Sequence, residues 1–199
     1  MSSILYATQD KSKSPFLQRV FEQDPNTPNF ITVLLSRLKD PDGISRGEFT
    51  IGEVVPGFES ITSMPQLPVV TTIQPTNQHW LGTIDGIFVN DVRIPTNSSV
   101  LNSSSGELIA LYDTGFTFPQ VPPSLSSAMY SNIPGAQFDT EKNWWKLPCD
   151  QEVNITFVIG GMRYPIHPMD ASVELRGDNG SPLCVGSVRT KLSLHFPFC

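Results

Sequence analysis

Leu108-Ile109-Ala110-Leu111-Tyr112-Asp113-Thr114-Gly115 is an apolar run that ends on a carboxylate, a hydroxyl and a glycine. The run has the composition of a strand, and Asp-Thr-Gly after it sets a carboxylate on a tight turn, with Gly115 tolerating the bend. A carboxylate presented in this way suits one kind of chemistry. Water held between two facing carboxylates is activated when they share one proton, since two like charges in contact cannot both ionise. Asp-Thr-Gly occurs once in the chain, so the sequence supplies one half of such a pair. A plainer reading also stands on the tripeptide alone: a surface turn whose Asp bonds its own backbone.

Working outward, 18 prolines and 14 glycines punctuate short runs rich in Val, Ile, Phe and Thr over 199 residues, which predicts an all-β chain with few helices. Ser14-Pro15 offers an N-cap and a first-turn proline, and Phe16, Leu17, Val20 and Phe21 share a helical face, predicting a helix at about 15–23. Asn29 to Arg37 and Glu48 to Val54 read as the arms of a hairpin turning at Lys39-Asp40-Pro41-Asp42-Gly43. Trp80 to Val92 forms sheet with a bend at Asn90-Asp91, and Pro122-Pro123-Ser124 starts a second helix carrying Leu125, Met129 and Tyr130. Val153 to Ile159 turns at Gly160-Gly161 into Met162-Arg163-Tyr164, another hairpin. The polar, Ser-rich stretch from Thr96 to Gly106 reads as an exposed loop feeding the strand that ends at Asp113.

Hydrophobic residues at 39% against 16% charged are the proportions of a globular chain, and the length fits one large domain better than two small ones. Net charge is −6 and the 13 basic residues are scattered singly, which argues against nucleic acid or an anionic membrane as partner. No run approaches the roughly 18 apolar residues of a membrane span, and Met1 to Ala7 lacks the basic and apolar regions of an export signal. Asn97, Asn102 and Asn154 nevertheless begin glycosylation acceptor triplets, with a weaker one at Asn179. Cys149, Cys184 and Cys199 allow one bridge and one free thiol, or reduced core thiols throughout. His79, His167 and His195 lack metal-ligand spacing, so no metal site is expected. Trp80, Trp144 and Trp145 read as packing residues rather than a groove lining, and Asp85 and Asp150 as solvated turn carboxylates.

Together, Ala110 to Gly115, Ile133-Pro134-Gly135-Ala136, Leu147-Pro148-Cys149-Asp150 and Cys184 resemble the C-terminal lobe of a pepsin-family aspartic endopeptidase of the fungal type. Phe16 to Phe21, Phe30 to Arg37 and Gly47 to Glu53 resemble the helix and hairpin that link the two lobes of that family. The resemblance implies a pepsin-like acid-protease lobe of mainly antiparallel sheets over 15–188. It makes 1–14 a remnant of the preceding lobe or a linker, and 189–199 a divergent tail. It further implies that Asp113 is the second catalytic aspartate, that Thr114 braces the active-site loops, that Gly115 supplies the bend, and that Cys149 and Cys184 form the lobe's disulfide. The family carries Thr or Ser where this chain has Phe116, whose ring cannot donate a hydrogen bond to the carboxylate; Thr117 is the nearby hydroxyl. The first aspartate, the flap and the terminal Ile-Leu-Gly-Asp-like strand have no counterpart here, so the expectation is a lobe truncated at both ends.

The function so implied is peptide-bond hydrolysis by Asp-activated water, on a peptide or protein substrate and without a cofactor. A lone carboxylate cannot act as both acid and base, so this half is expected to be inactive unless complemented. The complement is an N-terminal lobe or, alternatively, a second copy bringing its own Asp113 to a two-fold axis. A third reading is a non-catalytic protein-binding lobe. The resemblance also implies a secreted or vacuolar setting.

Overall fold

Ile155, Phe157 and Ile159 alternate with Thr156 and Val158, and Ile87 and Val89 with Gly86 and Phe88, the two-residue period that separates a sheet's apolar face from its solvated one. The computed structural model describes residues 16–36, 47–68, 70, 80–96, 108–177 and 180–191. These divide into two compact units, Met1–Leu81 and Gly82–Cys199.

In the first unit, α1 (Phe16–Gln23) realises the helix expected at 15–23. β1 (Ile31–Leu34) and β2 (Glu48–Ile51) pair antiparallel in the register Ile31 to Ile51, shorter than the arms read from sequence. Their predicted turn at Lys39 to Gly43 lies outside the described residues. Polar satisfaction rather than apolar bulk fixes this hairpin. Thr32 and Thr50 hydroxyls bond each other across the strands, Thr50 Oγ1 donates to the Glu53 carbonyl at 2.6 Å, and the buried Val55 donates its N–H to Thr32 Oγ1.

The second unit contains β3 (Leu81–Ile84, from Gly82 on), β4 (Gly86–Val89), β5 (Val92–Ile94), β6 (Leu108–Leu111), β7 (Gln120–Val121), α2 (Pro123–Tyr130), β8 (Gln137–Asp139), β9 (Trp144–Leu147), β10 (Ile155–Ile159), β11 (Met162–Pro165), α3 (Pro168–Ala171), β12 (Ser172–Arg176), β13 (Pro182–Gly186) and β14 (Arg189–Thr190). They form four-stranded sheets ordered β11-β10-β4-β5 and β12-β13-β9-β8, with short pairs β14-β7 and β3-β6. The fold is mainly antiparallel β with few short helices, in keeping with a pepsin-like all-β architecture. Asn90 and Asp91 take positive φ at 48° and 62°, as do Gly160 and Gly161 at 59° and 76°, giving the tight connections that match strand twist.

The core of this unit gathers Ile87, Ile94, Leu125, Met129, Tyr130, Ile133, Leu147, Ile155 and Val188. Each large aliphatic side chain so buried contributes about 1.5–3 kcal/mol. Of the tryptophans, Trp145 packs on this core, 6.0 Å from the Tyr130 ring and 5.4 Å from Phe138, and donates Nε1–H to Ser126 Oγ at 2.9 Å. Trp144 is half-buried, whereas Trp80 is 41% exposed, at odds with the packing role read for it. His167 caps α3 by accepting the Met169 N–H at Nδ1; His79 and His195 lie outside the described residues.

Cys149 and Cys184 are bridged, with Cα atoms 5.1 Å apart across 35 positions. Closing a loop of that length is worth about 3–4 kcal/mol by the chain-entropy account. Cys184→Ala together with Cys149→Ala is therefore expected to lower the urea unfolding free energy of this unit by about that amount. In the same sheet, Lys146 Nζ stands 2.7 Å from Asp139 Oδ2, and that side-chain bond, with the Lys142 and Glu141 N–H groups, holds the Asp139 carboxyl below the usual range. A depressed folded value means the contribution is present above the unfolded carboxylate value and lost as pH falls through the folded one. Lys146→Met should move the Asp139 carboxyl titration upward by NMR and leave stability less sensitive to acid.

Candidate active site

β6 runs from Leu108 to Leu111, and the chain leaves it through Tyr112 into Asp113, with Thr114-Gly115 forming the turn that the sequence predicts. Asp113 Oδ1 accepts the Gly115 N–H at 2.8 Å, an Asx-type bond that pins one carboxylate oxygen against its own turn. A side chain on residue 115 would place its Cβ 3.0 Å from that oxygen, so glycine gives the carboxylate its room. Both the catalytic-turn and the plain surface-turn readings contain this bond. Asp113, Thr114, Gly115, Phe116 and Thr117 all stand exposed, Phe116 by 58%.

Two elements hold the ends of this loop. On the upstream side β6 pairs with β3, and the Tyr112 ring lies across Gly82 so closely that an added Cβ would meet Tyr112 Cε2 at 2.7 Å. Partial burial raises the Tyr112 hydroxyl above its ordinary value, and the charges of Asp85 and then Tyr164 push the same way. Downstream, Arg189 donates its N–H to the Pro119 carbonyl at 2.8 Å, and its guanidinium sits 4.7 Å from the Phe118 ring and 5.1 Å from Trp144. Neither Gly82 nor Arg189 stands out in the sequence as a site residue. The glycine carried no signal beyond its place opposite an aromatic, and the arginine's stacking joins residues far apart in sequence.

The remaining candidates lie elsewhere. Cys149 is exposed and Cys184 buried, at the joined ends of β9 and β13. Asn154 is exposed just before β10, its N–H bonded to Asn90 Oδ1, while Asn97 and Asn102 lie outside the described residues. Asp85, read as a solvated turn carboxylate, is exposed but accepts the Gly161 N–H at Oδ2, 2.8 Å away and 76 positions on. Among the described residues, no three His, Cys, Asp or Glu side chains come together as metal ligands, and no helix is long and apolar enough to cross a membrane.

A family model described as eukaryotic aspartyl protease matches residues 8–195. Among curated proteins, the chain is similar to the major aspartyl peptidase 1 of Cryptococcus neoformans var. grubii, 24% identical over 71% of this chain and 29% of that protein. It is also similar to a probable aspartic-type endopeptidase CTSD of Arthroderma otae, 27% identical over 80% of this chain and 38% of the relative. An aspartic-type endopeptidase ctsD of Aspergillus fumigatus is 27% identical over 41% of this chain and 18% of its own length. The chain thus spans well under half the length of the curated relatives it matches.

Because Tyr112 rests on Gly82, Gly82→Ala is expected to displace the ring and cost about 1–3 kcal/mol through overpacking. Urea unfolding measures the cost, and an Asp113 carboxyl resonance unmoved in the variant would show that Tyr112 does not position the turn.

Proposed function

The chain belongs to the eukaryotic aspartyl protease family, and on that premise we propose that it is the C-terminal lobe of an aspartic endopeptidase, carrying one of two catalytic aspartates. The observation that carries this reading is the family match over residues 8–195, within which Asp113 stands exposed at the end of β6 with Oδ1 tied to the Gly115 N–H. Phe116 occupies the place where a hydroxyl is implied, so orientation of the carboxylate falls to that backbone bond.

In the proposed reaction, water held between Asp113 and a second carboxylate gives a proton to the ionised member of the pair. It then attacks the scissile carbonyl while the protonated member donates to the carbonyl oxygen. One of the two must stay protonated, so activity belongs at acid pH. The substrate is a peptide or protein, and these steps use no cofactor. The chain's single Asp-Thr-Gly makes it inactive alone in this reading.

Leu111 at 37%, Tyr112 at 40% and Phe116 at 58% exposure make an apolar surface beside the carboxylate. That surface supports a covering protein partner, an N-terminal lobe bearing the second aspartate, with a second copy of this chain as the alternative. The Cys149–Cys184 bridge favours an oxidising setting, secreted or vacuolar, in which Asn154 is an open acceptor for a glycan.

Incubation of the 199-residue chain with an unfolded protein substrate between about pH 3 and 5 tests this reading, with Asp113→Asn as control. The expected result is no cleavage by the chain alone and none by the variant. Cleavage that Asp113→Asn abolishes, from a species that gel filtration shows to be a dimer, would replace the complementing lobe with a second copy. Cleavage that survives the substitution would remove Asp113 from catalysis.

A further inference from the structure

The solvated face of the β11-β10-β4-β5 sheet carries two arginines that approach from its two outer strands. Strand register sets them there. Arg163 on β11 stands opposite Val158 on β10, which stands opposite Gly86 on β4. One step along, Arg93 on β5 stands opposite Phe88 on β4. Gly86 and Phe88 are two residues apart, so all of these positions point away from the core face built by Ile87, Val89 and Ile155.

Gly86 contributes no side chain, and a hollow of about 390 Å³ opens between the arginines, lined by Asp85, Gly86, Phe88, Arg93, Val158 and Arg163. The Arg163 guanidinium lies 4.4 Å from the centre of the Phe88 ring, and Arg93 Nε would be 3.5 Å from a Cβ on Gly86. Each guanidinium carries five N–H donors. Among the described residues, Arg93 Nη2 donates to the Asp85 carbonyl at 3.1 Å and Arg163 Nη2 to the exposed Asp91 at 3.4 Å. Exposed pairs of the second kind are worth about 0–1 kcal/mol, so an incoming acceptor displaces Asp91 at little cost.

We propose that this hollow is a carboxylate-binding site, in which the Arg93 and Arg163 forks hold one carboxylate over the Gly86–Phe88 floor. Planar, paired donors match a carboxylate's two oxygens. Asp85 at the rim decides between oxyanions. Its Oδ2 is committed to Gly161, and its charge offsets part of that of the two guanidiniums, so a dianionic phosphate gains less from the net field while its desolvation cost, which grows with the square of the charge, is undiminished. The site does not rest on the proposed hydrolysis. A small organic acid and an Asp or Glu side chain of a peptide present the same group.

The full chain, labelled with 15N at its arginines, is titrated at neutral pH and constant ionic strength with acetate, a blocked Gly-Asp-Gly tripeptide, its Gly-Asn-Gly counterpart and inorganic phosphate. The expected result is saturable shifts of the Arg93 and Arg163 Nε–H signals with acetate and the Asp tripeptide, weaker binding of phosphate and none of the Asn tripeptide. Arg93→Gln and Arg163→Gln should each weaken binding about ten- to hundredfold, the loss a charge-assisted bond carries. Gly86→Ala meets Arg93 at an ordinary contact distance, so it should weaken binding by filling the floor with no loss of folding stability. Tighter binding of the tripeptide than of acetate points to a peptide partner, and equal binding to a small acid; either supports the site. Absence of saturable shifts, a preference for phosphate, or binding retained in the Arg93→Gln, Arg163→Gln double variant would overturn it.

Discussion

The packing of Tyr130 against Gly186 is the contact on which the rest of the second unit depends. Tyr130 ends α2 with none of its surface exposed, and its ring lies so near Gly186 that any Cβ there would come within 2.5–2.7 Å of it. Its hydroxyl accepts the buried Val188 N–H at 3.0 Å, and burial pushes that hydroxyl up to about 12, so it stays neutral and bonded. This single side chain fills the core and satisfies a backbone group that would otherwise be stranded at about 1–3 kcal/mol. By fixing Val188 it also aims the residues that follow.

Those residues form β14, which runs parallel to β7 with Arg189 opposite Gln120 and Thr190 opposite Val121. Thr190 and Ser126 hydroxyls bond at 2.7 Å inside the protein, and Trp145 donates to the same Ser126 oxygen, so α2, β9 and β14 share one buried polar node. Such a node holds its register because every alternative pairing would strand a hydroxyl or an indole N–H. β7 in turn begins where the Asp113 loop ends. The core therefore constrains the exposed Asp-Thr-Gly turn at its downstream end through Tyr130, Val188 and Arg189, and at its upstream end through Tyr112 on Gly82.

The same economy shapes the β11-β10-β4-β5 sheet. Its inner face is closed by Ile87, Ile94 and Ile155, and its outer face is free to carry charge. Gly86, in the row of Arg163 and one step from the row of Arg93, leaves a hollow where a larger residue would leave a flat, solvated surface. One face is thus committed to stability while the other remains available for binding.

Much of this was legible in the sequence, and for local reasons. The helix at Phe16–Gln23, the helix opened by Pro122-Pro123, the strand into Asp113, the bend at Asn90-Asp91 and the hairpin at Gly160-Gly161 are set by residues within a turn or two of each other. Side-chain period, proline's fixed φ and tolerance of positive φ suffice to specify them. The motif around Asp113 and the spacing of Cys149 and Cys184 carried the family, because both are read along the chain. What the chain order hides is anything joining residues distant along it: Tyr130 under Gly186, Arg189 between Phe118 and Trp144, Asp85 on Gly161, Arg93 and Arg163 over Phe88. Those contacts follow from strand order and register, which depend on how whole faces bury together, and so only the tertiary structure decided them.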